Sequence, residues 1–160
     1  MEGRSLVSQM AMLLPLAVDW VSEQQERIMR EGVPLTGSEM FDARKIGIKM
    51  PERVRLLQVE AIPFPTHPLL KAACQATSLV PAAPRGLSVF YGLFIRSDYW
   101  RDRILIAHEL AHTAQYERLG GIEPFLRRYI SECTTVGYAK SPLEGEATRA
   151  ASHLCVSGRP

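Results

Sequence analysis

The stretch ILIAHELAHTAQYERL, residues 104–119, sets three ionisable side chains into a helix that has almost no polar face. Ile104, Leu105, Ile106, Leu110, Ala111 and Ala114 point in nearly every direction around the axis, so the segment must be covered on most sides. Asp98 or Asp102 can cap a helix that begins near Trp100, and Gly120-Gly121 supplies its stop after Leu119. Burying His108, Glu109 and His112 in such a helix costs several kcal/mol unless something pairs with them, and a divalent cation would offset that cost. Without an ion, the same residues would have to be core histidines hydrogen-bonded to backbone and to Glu109.

His108, Glu109, Leu110, Ala111 and His112 spell HExxH. On a helix of 3.6 residues per turn, positions four apart lie only about 40° from each other, so both imidazoles can face one ion. Zinc is the metal that this donor set suits. Glu109, one residue along, reaches the open coordination position. There it can take a proton from water and later deliver it to a leaving amine. Chance would produce the pattern in roughly one chain in a hundred of this composition, so its apolar setting is what gives it weight.

A zinc site of this kind needs a third protein donor from another element. Asp19, Asp42, Asp98 and Asp102 all precede the motif, and the longer HExxHxxGxxH pattern fails because Gln115 and Arg118 hold its Gly and His positions. A downstream glutamate is the favoured donor. Glu117 points about 140° away from His112 on the same helix, Glu123 sits at a helix start beside Pro124, and Glu132 lies mid-helix. Glu144 and Glu146 open the last helix; two residues apart, they differ by about 200° in direction, so only one can face the ion. His153 and Cys133 are more distant candidates. Glu144 also has a simpler explanation, because Ser141-Pro142-Leu143-Glu144 is a capping box with proline at the first helical position.

The rest of the sequence narrows the class. A length of 160 residues fits one domain. A net charge of +2, with scattered basic residues, offers no nucleic-acid groove or membrane-binding patch. Cys74, Cys133 and Cys155 are odd in number and widely spaced, which argues for reduced thiols rather than a secreted disulfide framework. The apolar run of residues 6–18 has the length of a signal-peptide core. It lacks a small-x-small cleavage site and passes into a charged helical pattern, which favours a helix of a cytoplasmic protein. No stretch reaches the roughly 18 uninterrupted apolar residues of a membrane span, so the chain is expected to be soluble.

Apolar spacing predicts a helix over residues 5–30, through Leu6, Met10, Leu13, Leu14, Val18, Val21 and Ile28, with a kink at Pro15 and an end at Gly32 and Pro34. Shorter helices are expected over 38–46, 67–77, 123–135 and 142–155, with a turn around Gly137 between the last two. Residues 54–62 read as extended, and the Pro- and Gly-rich residues 80–86 as a loop. Residues 87–96, LSVFYGLFIR, read as one strand. The fold class is α+β: a mostly helical domain with a small antiparallel or mixed sheet, built from 54–62, 87–96 and one more short strand, packed on the HExxH helix. Within a single domain of residues 1–160, the first 85 form a helical part without an assigned role and 86–156 form the metal-site core.

HELAH, followed about thirty residues later by PLEGEA at Pro142 to Ala147, resembles the gluzincins, in particular the small minigluzincin domains of bacterial proteins. The likeness spans roughly residues 87–151. It implies a zincin-like fold and a zinc metallopeptidase with a peptide or protein substrate. The ligand glutamate of that group has alanine three positions later, which maps onto Glu144 and Ala147 and implies His108, His112 and Glu144 as the metal ligands, with Glu146 the alternative. Where the group often has an acidic residue four after the ligand, this chain has Thr148. Related enzymes present a tyrosine or histidine to the oxyanion of the tetrahedral intermediate, a role that would fall to Tyr138. Their edge strand binds an extended peptide above the metal helix, which would make residues 91–96 the substrate rim. His67 and His153 read as surface or capping residues, and Gln115 and Tyr116 as packing.

The residues therefore favour hydrolysis of a peptide or other amide bond, with Glu109 as general base. The competing reading is a catalytically inactive zinc-binding domain in which the same residues staple the fold or serve an interaction. Glu109 favours catalysis, since a structural site has no use for a base beside an open position and closes with four protein donors. A third reading is a helical binding module without metal.

Overall fold

The computed structural model describes residues 2–77 and 79–157, with no side-chain description for 2–7, 156 and 157. The two ends of the expected 1–160 domain, and the side chain of Leu6 in the first helical stripe, lie outside the described residues. Among those described, six α-helices and four strands form an α+β fold: α1 (Glu2–Glu31), β1 (Val33–Pro34), α2 (Gly37–Ile46), β2 (Arg55–Val59), α3 (Pro68–Thr77), β3 (Gly86–Val89), β4 (Gly92–Arg96), α4 (Arg103–Leu119), α5 (Ile122–Thr135) and α6 (Pro142–Ser157). None of these helices is long and apolar enough to cross a membrane.

The sheet is mixed, in the order β1-β2-β4-β3. β4 occupies its interior, parallel to β2 and antiparallel to β3, with Leu93, Phe94 and Ile95 fully buried. The helices cover it because an interior strand that is apolar on successive residues must be covered on both faces. One core, which includes Leu13, Val21 and Ile28 of α1, Phe94, Tyr116, Phe125 and Leu126, lies on the α1 and α5 side. The other joins Leu56, Leu93, Ile95, Ile106 and Leu110 to α2.

The single strand expected over 87–96 is instead a tight hairpin. Val89 pairs with Gly92, leaving Phe90 and Tyr91 as its two-residue turn. Such turns ordinarily carry Asn-Gly or Gly, and Phe90 adopts a positive φ of 72° that costs a non-glycine residue energy. Tertiary contacts hold it there: the Thr113 hydroxyl donates to the Phe90 carbonyl at 2.6 Å, and the Phe90 ring stacks on Tyr116 of α4 at 5.2 Å. The expected rim at residues 91–96 is corrected accordingly, because β4 is paired on both sides and β3 is the outer strand beside it.

Helix α4 begins where Asp102 accepts a hydrogen bond from the Leu105 amide, and it ends at Gly120 in the left-handed region. Asp98 takes no part in the cap and forms an ion pair with Arg96. Ile104, counted among the buried stripe, is exposed, while Ala107, Glu109, Leu110, Ala111 and His112 are buried. His67 is exposed and its Nδ1 accepts from the Leu69 amide at the start of α3, a capping role.

Candidate metal centre

α4 passes beneath β3 and packs along α6, so that the start of α6 faces the middle of α4. His108 and His112, one turn apart, place their ring centroids 4.9 Å from each other, with planes nearly perpendicular at 78°. The carboxylate of Glu144 lies between them. Its Oε2 is 3.1 Å from His108 Nε2 and its Oε1 3.0 Å from His112 Nε2. One ligand atom from each of the three residues falls within 4.8 Å of the others, the spread that a single cation can bridge.

Of the two glutamates left open by spacing, Glu144 is the one against the imidazoles. Glu146 turns away to Arg118 at 2.9 Å and to the Gln115 amide at 3.3 Å. The other candidates have different work. Glu117 accepts from the Lys49 and Met50 amides and the Tyr91 hydroxyl, and Glu123 pairs with Arg127. Cys133 is a buried thiol whose pKa burial pushes up to about 12.

The expected capping box is only half present. The Glu144 amide donates to Ser141 Oγ at 3.3 Å, but the Glu144 side chain faces the histidines. The Ser141 amide bonds the Tyr138 carbonyl instead, and Glu132 of α5 adds an acceptor of its own: its Oε1 receives the Ser141 hydroxyl at 2.7 Å and the Leu143 amide at 2.9 Å. Burial raises the Glu132 carboxyl, but these two bonds and one from Arg128 outweigh it and hold the group below its ordinary range.

Electrostatics at the site follow from burial and from the mutual approach of its charges. Burial opposes protonation of His112, yet Glu144 and Glu109 overcome it and raise the imidazole to about 9. Glu144 is disfavoured as an anion by burial, and the two histidines reverse that to hold it far below the usual carboxylate range. Glu109, 6% exposed, moves upward because desolvation outweighs the nearby histidines. The carboxylate of Glu109 lies against Gly86 of β3, where an added Cβ would stand 3.2 Å from Glu109 Cγ. Glu109 therefore sits between the His108–His112–Glu144 cluster and β3.

Two contributors escape the sequence reading. Tyr129 of α5 donates its hydroxyl to Glu144 Oε1 at 2.9 Å, and burial, then Glu144, raises its pKa. Gln115 accepts from His112 Nδ1 at 2.8 Å. Phe125, Tyr129 and Cys133 follow one another at four-residue spacing, as do Ile122, Leu126 and Ile130, a hint that this face of α5 looks inward. Tyr138, in a short 3₁₀ turn before α6, lines a cleft together with His108, Glu109, His112 and Glu144; burial, then the negative charges of Glu144 and Glu109, raises its phenol. Thr148 is exposed, and the partner of a ring nitrogen comes from α4 itself instead. No family model, curated protein or solved structure matches the chain.

Proposed function

We propose that this chain is a zinc-dependent hydrolase, a metallopeptidase of the HExxH type that cleaves a peptide or other amide bond. One observation carries the reading: two imidazole nitrogens and a carboxylate converge within bonding reach of a common point, and a second, buried carboxylate lines the same cleft beside them. A structural staple would close with a fourth protein donor and has no use for a buried carboxylate beside an open position. Zinc held by three protein donors polarises a carbonyl and brings the acidity of water toward neutrality.

His108 and His112 present Nε2, and Glu144 an oxygen, toward the ion. Gln115 keeps the proton of His112 on Nδ1 so that Nε2 stays a donor of electrons. Glu109 takes the proton of the attacking water and passes it to the nitrogen of the departing amine; its raised proton affinity suits both steps. Tyr129 and Tyr138, whose raised pKa values keep them protonated, offer hydroxyls near Glu144 that can donate to developing negative charge. Likeness to the gluzincins and the use of Glu144 over Glu146 agree with this assignment. The three cysteines are unpaired, which fits a reducing, cytoplasmic setting.

Metal analysis and turnover decide between the readings. Purified protein should carry zinc near one per chain; His108→Ala or His112→Ala should lose it, and Glu109→Gln should keep it while hydrolysis falls by at least about a hundredfold. Zinc at full occupancy with the same negligible hydrolysis in parent and Glu109→Gln overturns the enzyme in favour of a metal-stapled domain. Absence of zinc from a folded, zinc-supplied protein overturns both.

A further inference from the structure

Residues 79–85 lie between α3 and β3 and belong to neither. Val80, Pro81 and Pro84 form a wall that faces two spaces at once. One is the cleft lined by Glu109, Tyr129 and Glu144; the other is a second cleft of about 610 Å³ bounded by Phe64, Gln75 and Arg96. Room behind the wall lets it swing away from the first cleft without displacing the core. Among the described residues, hydrogen bonds reach the main chain of 79–84 from two side chains: the Tyr129 hydroxyl donates to the Leu79 carbonyl at 3.3 Å, and Arg96 Nη1 donates to the Ala83 carbonyl at 3.1 Å. Ala83 is held at a positive φ of 48°, a conformation that an alanine leaves once its carbonyl is released.

A tyrosine hydroxyl has one proton to give, and that of Tyr129 has two acceptors. The second is Glu144 Oε1 at 2.9 Å, nearer than the Leu79 carbonyl and charged, so in this structure Glu144 has first claim on the proton. A cation bound by Glu144 neutralises that charge and removes the advantage. Resting on the zinc site of the reading above and not on turnover, we propose that residues 79–85 are a gate over the cleft and that Tyr129 sets it: its proton goes to Glu144 without a cation and to Leu79 with one. An ion thus enters past a loosely held wall and is covered once it has bound. Arg96 is the latch at the other end. Its remaining donors are fixed on Asp98 at 2.7 and 3.0 Å, so it does not respond to the ion.

Cys74, 4% exposed and lining both clefts, reports the gate. Alkylation of its thiol by iodoacetamide, followed by mass spectrometry of the peptide that contains it, is measured with saturating zinc and with chelator, in the parent and in Tyr129→Phe. Zinc should slow Cys74 by roughly threefold to tenfold in the parent, the effect of one hydrogen bond, and by less than about twofold in Tyr129→Phe loaded to the same one zinc per chain. Cys133 belongs to the same core but lines neither cleft, so zinc should slow it less than Cys74. Trypsin cleavage after the exposed Arg85, which zinc on a thiol does not block, should fall in parallel. Arg96→Met should speed Cys74 labelling with and without zinc and leave the zinc effect in place. Zinc bound at one per chain with no change at Cys74, an equal change in Tyr129→Phe, or equal slowing of Cys74 and Cys133 overturns the gate and leaves the zinc site standing. A folded protein that binds no zinc removes the site and the gate together, while a zinc-responsive gate in a protein without hydrolysis keeps the gate and removes the enzyme.

Discussion

Gln115 is 1% exposed, and both ends of its amide are committed. The Nε2 end faces two acceptors, the Leu143 carbonyl at 2.9 Å and Glu146 Oε1, so the oxygen must be the end that meets His112 Nδ1. That single side chain fixes the tautomer of one imidazole and ties it to the helix that carries Glu144. Replacing Gln115 by leucine should therefore weaken zinc binding by roughly tenfold to a hundredfold, read by competition with a chromophoric chelator. It also leaves the buried His112 Nδ1 without its acceptor, at a cost of about 1–3 kcal/mol in urea unfolding. A zinc affinity unchanged in a protein that is still folded would remove Gln115 from the site. The sequence made His108, Glu109 and His112 readable because helix periodicity alone aims them together. Gln115 stood only as a mismatch to a longer motif, since its use depends on where α6 lies.

At the level of elements, the position of Glu144 depends on how α6 starts. Proline at the first turn and Ser141 before it were legible as a helix start; that Glu132 reaches across from α5 to finish the cap was not, because no local spacing links the two. The same limit hid the β3–β4 hairpin, whose turn residue Phe90 is held by Thr113 and Tyr116, both on another element. Short-range patterns in contrast located all six helices to within a few residues. Glu132 lies below its unfolded pKa in the folded protein, so its contribution is present above about pH 4.3 and is lost as pH falls through the depressed folded value. Glu132→Gln should cost about 1 kcal/mol near neutrality. Because protonation removes the same charge from the parent, that gap should narrow below about pH 4. Its exposed partner Arg128 adds little, so Arg128→Ala should reproduce only a small part of the loss. Denaturation curves of the three proteins at several pH values check this, and a gap that widens in acid would contradict it.

Across the whole molecule, the half with the motif and the half without it share one core. Leu13, Leu14, Ala17, Val21 and Ile28 of α1 pack with Phe125, Leu126, Ile130 and Leu143, the residues that back the site. Their fit leaves no slack at Gly92, where an added Cβ would come within 2.9 Å of Ile28 Cδ1, so α1 presses directly on the central strand. The cleft itself draws its walls from α1 and α3 of the first half and from β3, α4 and α5 of the second. The expected division into a role-less first 85 residues and a metal-site core of 86–156 thus describes where the motif falls, while the packing joins the two. A chain of about 70 residues buries only about 60% of its unfolded surface, too little to spare the apolar face that α1 covers. Residues 86–157 expressed alone should therefore show a shallow, non-cooperative urea response by circular dichroism, strong binding of a hydrophobic dye, and no recovery on adding zinc. A sharp transition in that fragment would mean that the metal-site half stands by itself and that α1 is a cover rather than part of its core.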